Sequence, residues 1–441
     1  MFPYIPISKD DEAKMLQVIG VNSVDDLFLD IPKNLKVKGA LNLPKHKSEI
    51  EVRRIINRLA SKNNSSSDSL CFLGGGTYDS YIPSIVPYLT SRSEFSTAYT
   101  PYQPEISQGT LHGIFEFQTL VSNLTDMDAS NASMYDGPTA AAEAALMSFD
   151  KSKGDTLYVS ETVNPKILQV VSTYLKFREF KIKMIPSKDY ITDIDAYKEM
   201  VSKDAVGLIV QSPNYYGIVE DYSEFVSVTS ENKALNIMYA DPSSLGILKT
   251  PGEYGVDIAI GEMQQFGNAM NYGGPHLGFI ATTKKMMRKL PGRIVGEGVD
   301  SNGNRAYVLT LQAREQHIRR EKASSNICSN QALNAMGATI YMSLLGKKGI
   351  KEISINSTNK AHYLYNELLK LDGFEKATDQ PFYREFVLKV KDIEALNNCL
   401  SEAGIMTVKP IKDDNIIQFA VTENRTKDEL DYLIKAVEVL S

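Results

Sequence analysis

Cysteine is scarce in this chain of 441 residues: Cys71, Cys328 and Cys399 are odd in number, far apart and outside any CxxC pair. That pattern argues against a disulfide framework or a zinc knuckle and fits a reducing cytoplasm. Histidine occurs five times, at His46, His112, His276, His317 and His362, with no HExxH or HxH spacing, so no metal site is expected. No apolar stretch approaches the roughly 20 residues that span a bilayer. The start, MFPYIPISKDDEAKM, lacks the basic and apolar blocks of an export signal. Basic runs interleaved with aromatics are missing too, and with a net charge of −6 nucleic acid is not an expected partner. GGGTYDSY does not end in the Gly-Lys-Ser/Thr of a P-loop, and no GxGxxG follows a first strand.

With 43% hydrophobic and 23% charged residues the chain is an ordinary globular protein, long enough for two or three domains. Residues 1–63 read as a helical arm, with Ser48 as the N-cap of the amphipathic SEIEVRRIINRLASKN. Such an arm suits wrapping a neighbour. A serine-rich loop then leads into residues 64–335, where TLYVS, KIKMIP, AVGLIVQSP, NIMYADP, DIAIGE and GFIATT alternate with helix-length segments. This alternation predicts an α/β domain with a mostly parallel sheet, whose ligands bind at the carboxyl ends of the strands. Residues 336–441 read as a small α/β C-terminal domain.

Tyr135-Asp136-Gly137-Pro138-Thr139 opens an alanine-rich helix, and free N–H groups at Gly137 with the Thr139 hydroxyl would cradle a phosphate. A merely capped helix explains the motif as well. Asp241 ends the strand NIMY, where pyridoxal enzymes place the aspartate that pairs with the pyridine nitrogen. The layout then calls for a Schiff-base lysine after DIAIGE, and the chain has Gln264 there, whose amide cannot form an imine. Tyr99, Tyr102, Gln103 and Glu105 sit on a segment stiffened by Pro101 and Pro104, of the kind that lines a ligand site. Arg293, Arg314, Glu315, His317, Arg319, Arg320 and Lys322 make a charge-dense region suited to an anion or an acidic partner surface, or simply to solvent.

Taken together, FLGGGTYDSYIP, SRSEFSTAYTPYQPEISQGTL, YDGPTAAAEA, QSPNYYGIVED, ADPSSLGILKTPGEYG, GGPHLGF, PGRIVGE and REQHIRREKASSNICSNQAL resemble glycine decarboxylase, the P-protein of the glycine cleavage system. The likeness is to the N-terminal-half subunit of its two-chain form and covers the whole chain. It implies a pyridoxal-phosphate fold-type-I-like domain in a cytoplasmic enzyme that binds glycine as an aldimine, releases CO₂ and passes the aminomethyl group to the lipoyl arm of the H-protein. It also implies that the cofactor lysine belongs to a partner subunit, leaving Gly137, Thr139, Asp241 and Gln264 vestigial and no cofactor held by this chain. Tyr99, Tyr102, Gln103, Glu105, Arg293, Arg314, His317, Arg319 and Arg320 are the residues expected to reach a shared site or the H-protein channel. Ser80 and Asn164 replace histidines usual in the family, which weakens any case for a cofactor here. Two alternatives stay open: a self-sufficient pyridoxal enzyme using Lys249 or Lys284, and a non-catalytic partner that only stabilises the lysine-bearing chain.

Overall fold

Ser8 and Ser48 each begin a helix by the same device: the hydroxyl accepts from the N–H three residues on, while Asp11 or Glu51 reaches back to the cap. The computed structural model describes residues 6–66, 68–151, 153–271, 273–311, 316–323, 325–406 and 415–438, the side chains of Asp150, Lys151 and His317 aside. Helices α1 (Lys9–Ile19) and α2 (Glu49–Ala60) belong to a first unit, Met1–Asn64. None of its described residues is buried. Val18, Leu29, Val37 and Ile50 are all more than 60% exposed.

Ser65–Ser441 form the second unit. Its main sheet has seven strands: β1 (Ala129–Ser130), β2 (Thr156–Ser160), β3 (Lys181–Ile185), β4 (Ala205–Ser212), β5 (Leu235–Ala240), β6 (Ile258–Glu262) and β7 (Gly278–Thr282). They lie in the order β1-β7-β6-β5-β4-β2-β3, and every pairing is parallel except the two made by β7. Strands such as Ile258–Glu262 are apolar on both sides because both faces are covered. Ala259 and Phe279 pack into a core with Phe117 and Tyr341, whereas Ile258, Ile260 and Ile280 pack into another with Ala140 to Ala145 of helix α3 (Gly137–Lys151). Those alanines let α3 lie close to the sheet.

Helix α4 (Ala332–Leu368), broken at Gly346 with φ 58°, carries the chain to a three-stranded antiparallel sheet of Phe374–Lys376, Glu385–Val390 and Ile416–Ala420. This sheet and two amphipathic helices share a core of Phe386, Leu388, Phe419, Leu396 and Leu433. Ile405–Met406 pairs parallel with Leu70–Cys71, and 407–414 lie outside the described residues. No helix among the described residues is long and apolar enough to cross a membrane.

Candidate functional site

The carboxyl ends of β4, β5 and β6 meet Tyr383 to Glu385 and the segment Gly76 to Tyr78 around one cleft. Here Asp241 follows β5 and Glu262 ends β6, so the sheet itself aims both carboxylates into the same space. That space is already filled by the chain.

At its inner end Arg384, 1% exposed, places Nη2 at 2.8 Å from Asp241 Oδ2. Gln265 donates to the other Asp241 oxygen at 2.6 Å and accepts from Arg384, and Ser243 donates to Asp241 through both N–H and hydroxyl at 2.9 Å. The guanidinium lies 3.6 Å from the centre of the Tyr78 ring. Burial by itself would lower the proton affinity of Arg384, but Asp241, with Tyr78, Tyr383 and Glu385, outweighs it and drives the affinity up. Arg384 is therefore a permanent cation stacked on an aromatic ring against Asp241.

At the other end Glu262 occupies the expected phosphate cradle. Its Oε2 accepts from Gly137 N–H at 2.9 Å, and its Oε1 accepts from the N–H groups of Gln264 and Leu277 at 2.9 Å each. Thr139 N–H is taken at 2.7 Å by Asp136 Oδ1. Burial pushes the Glu262 carboxyl up to about 7, against the pull of those three donors. Gly137 has no room for a side chain, since a Cβ would meet the Tyr239 ring and hydroxyl.

Between the two ends Gln264 grips Tyr78. Its Oε1 accepts from Tyr78 N–H at 3.0 Å, and its Nε2 donates to the carbonyls of Tyr78 and Asn268 at 3.2 and 2.7 Å. Glu385 braces the same segment, accepting from Gly75 N–H at 2.7 Å and from the Tyr78 hydroxyl at 2.8 Å. The space left open in the cleft is about 20 Å³. That holds roughly one water, whereas a site for a cofactor-sized ligand needs on the order of 300 Å³ or more. Pyridoxal phosphate does not fit this cleft.

Of the residues expected as relics of a cofactor site, Gly137 and Gln264 share the Glu262 carboxylate, Asp241 is held by Arg384, Gln265 and Ser243, and Thr139 is bonded to Asp136, so each is engaged within the chain. Asn164 acts as an N-cap, accepting from Lys166 N–H at 2.9 Å and donating to Gly75 O at 2.8 Å. Lys249 and Lys284, the alternative imine lysines, are exposed and do not line the cleft. Arg384, Glu385 and Tyr78 went unassigned in the sequence. The signal for the first two was an Arg–Glu pair opening the otherwise apolar run YREFVLKV.

The second expected group is partly assembled. Tyr102 and Arg293 meet, with Arg293 Nη2 at 3.4 Å from the tyrosine hydroxyl, and Tyr99 approaches Ser329 at 3.5 Å. Gln103 and Glu105 are exposed at the start of the helix Pro104–Thr125, and Arg319 and Arg320 are exposed as well. Arg314 and Glu315, and the side chain of His317, lie outside the described residues.

A family profile described as glycine cleavage system P-protein matches residues 3–437. A probable glycine dehydrogenase (decarboxylating) subunit 1 from Listeria innocua is 47% identical over 99% of this chain and 98% of its own. Its counterpart from Carboxydothermus hydrogenoformans is 46% identical over 98% and 99%. The crystal structure of an inhibitor-bound glycine decarboxylase (P-protein) of the glycine cleavage system superposes with a TM-score of 0.92 at 39% identity, covering 99% of this chain and all of that one. Glutamate decarboxylase from Lactobacillus brevis, at TM-score 0.69 and 14% identity over 92% of this chain and 96% of its own, shares the fold.

Proposed function

Because the chain belongs to the glycine cleavage system P-protein family, we propose that it is subunit 1 of a two-chain glycine decarboxylase whose pyridoxal phosphate and imine lysine reside on the partner chain. The observation that supports this reading is the filled cleft: Arg384 is paired with Asp241 at one end, Glu262 accepts from Gly137 at the other, and Gln264, not a lysine, follows DIAIGE. Pyridoxal phosphate supplies the electron sink for decarboxylation from the partner's side. This chain supplies walls and charge to the shared site. Tyr102 and Arg293, which meet at 3.4 Å, and Tyr99, which approaches Ser329, are the residues proposed for it, with glycine as substrate and a lipoyl H-protein as acceptor. The many exposed apolar side chains of residues 6–64, among them Val18, Leu29, Val37 and Ile50, support a protein partner for this chain.

The purified chain mixed with pyridoxal phosphate and borohydride is expected to show no aldimine absorption and no reduced adduct. Addition of the lysine-bearing chain is expected to restore glycine-dependent CO₂ release. A stoichiometric adduct on any lysine of this chain would overturn the division of labour.

A further inference from the structure

Three arginines of the described chain are buried, each no more than 4% exposed: Arg293, Arg384 and Arg425. Two have carboxylates. Arg384 pairs with Asp241 at 2.8 Å, and Arg425 pairs with Asp79 at 2.7 Å and approaches Glu429 at 3.7 Å. Arg293 has none among the described residues. Its four terminal hydrogens are shared among neutral acceptors at the long edge of bonding: Ser329 O at 3.4 Å, Asn330 Oδ1 at 3.3 Å, Thr100 Oγ1 at 3.5 Å and Tyr102 Oη at 3.4 Å. Its Nε–H has no partner, a feature it shares with Arg384 and Arg425, so what sets Arg293 apart is the lack of a carboxylate among the described residues. A buried guanidinium without a carboxylate beside it is costly, and an anionic ligand would offset that cost.

The backbone around Arg293 is fixed. Its carbonyl accepts from Ala132 N–H at 2.8 Å, and Gln118 clamps Val295 by accepting at 2.8 Å and donating at 2.9 Å. Tyr102, whose hydroxyl lies 3.4 Å from Arg293 Nη2, is itself about half exposed. We propose that Arg293, with Thr100 and Tyr102, is a preorganised receptor for a small oxyanion, a carboxylate or a phosphate, entering beside Tyr102. An oxyanion there takes the Nε–H and draws charge-assisted bonds of about 2.7–2.9 Å in place of the long neutral ones. Only the identity of the anion rests on the function proposed above: the carboxylate of glycine, or the phosphate of the partner's cofactor.

The test is a thermal melt of the full-length chain in inorganic phosphate or acetate against chloride at equal ionic strength. The wild-type midpoint is expected to rise with the oxyanion, Arg293→Met to be flat, and Arg293→Lys to respond at several-fold higher concentration. In chloride, Arg293→Met should melt at or above the wild type, because an unpaired charge has been removed. Should that variant fail to fold, Thr100→Val and Tyr102→Phe, at the rim, are expected to weaken the response several-fold. Equal responses in wild type and variants would overturn the site. In the assembled enzyme, Arg293→Lys raising KM for glycine several-fold with cofactor retained assigns the substrate carboxylate; faster loss of pyridoxal phosphate at unchanged KM assigns the cofactor phosphate. Wild-type turnover, KM and cofactor retention together would also overturn it. An Arg293-dependent response in a chain that never supports turnover with a lysine-bearing partner would keep the site and defeat the proposed function instead.

Discussion

Gln264 serves as a clamp that needs both of its amide atoms, one accepting from Tyr78 N–H and the other donating to two carbonyls. Lysine has three donors and no acceptor. Gln264→Lys therefore orphans the Tyr78 N–H and adds a second cation to a cleft that already holds Arg384. The expected loss is roughly 2–5 kcal/mol in chemical denaturation, from an unmet buried donor and an unpaired buried charge. The variant should still form no adduct with pyridoxal phosphate, read by absorbance and intact mass. Its inertness has a different cause from the one the sequence implied. Ser80 and Asn164 stand in place of histidines usual in the family, yet Asn164 caps a helix, and Arg384 and Glu262 are what fill the two ends of the cleft. A partner-independent decarboxylase created by this one substitution would refute that account.

Glu262 joins three elements: the N-terminus of α3, the end of β6 and the turn into β7. A carboxamide offers one accepting oxygen where the carboxylate offers two. Glu262→Gln should leave at least one of the N–H groups of Gly137, Gln264 and Leu277 without an acceptor, at about 1–3 kcal/mol. Chemical denaturation would read the loss, and faster hydrogen exchange at those three amides would place it; wild-type exchange would mean the cradle does not depend on the charge. The central strands were legible because each is a short, fully buried run between helical patterns, as in Thr156–Ser160 and Ile258–Glu262. Two-residue β1 and the hairpin of Ile294–Val299 with Arg305–Thr310 were not, being too short or too exposed to carry a strand's burial pattern. Gly137, Thr139, Asp241 and Gln264 could be grouped from order and spacing. What fills their site could not, because Glu262 meets Gly137 across 125 residues and Gln264 meets Tyr78 across 186, and no local periodicity records such pairings.

Across the whole molecule the buried carboxyls set the direction of pH dependence. Burial raises Glu143 and Glu262 to about 7 and also raises Asp79, Asp257 and Glu385, whereas the lowered carboxyls, such as Asp155 and Asp431, are on the surface. A carboxyl whose folded value lies above its unfolded one holds its proton more tightly in the fold, so its stabilising contribution is complete below the unfolded value and is lost as pH climbs through the folded one. For Glu143 the window runs from 4.5 to about 7, with burial the main cause and Ser325 and Arg178 pulling the other way. The shift corresponds to roughly 3 kcal/mol across that window. The isolated chain should thus be most stable on the acid side of neutrality and soften between pH 5 and 8. Glu143→Gln carries no titrating proton and keeps an acceptor for Ser325, so its curve of unfolding free energy against pH should be flatter by about that amount. A variant curve parallel to the wild type would mean that Glu143 stays ionised in the fold, held by Arg178, and that the acid-side maximum has another source.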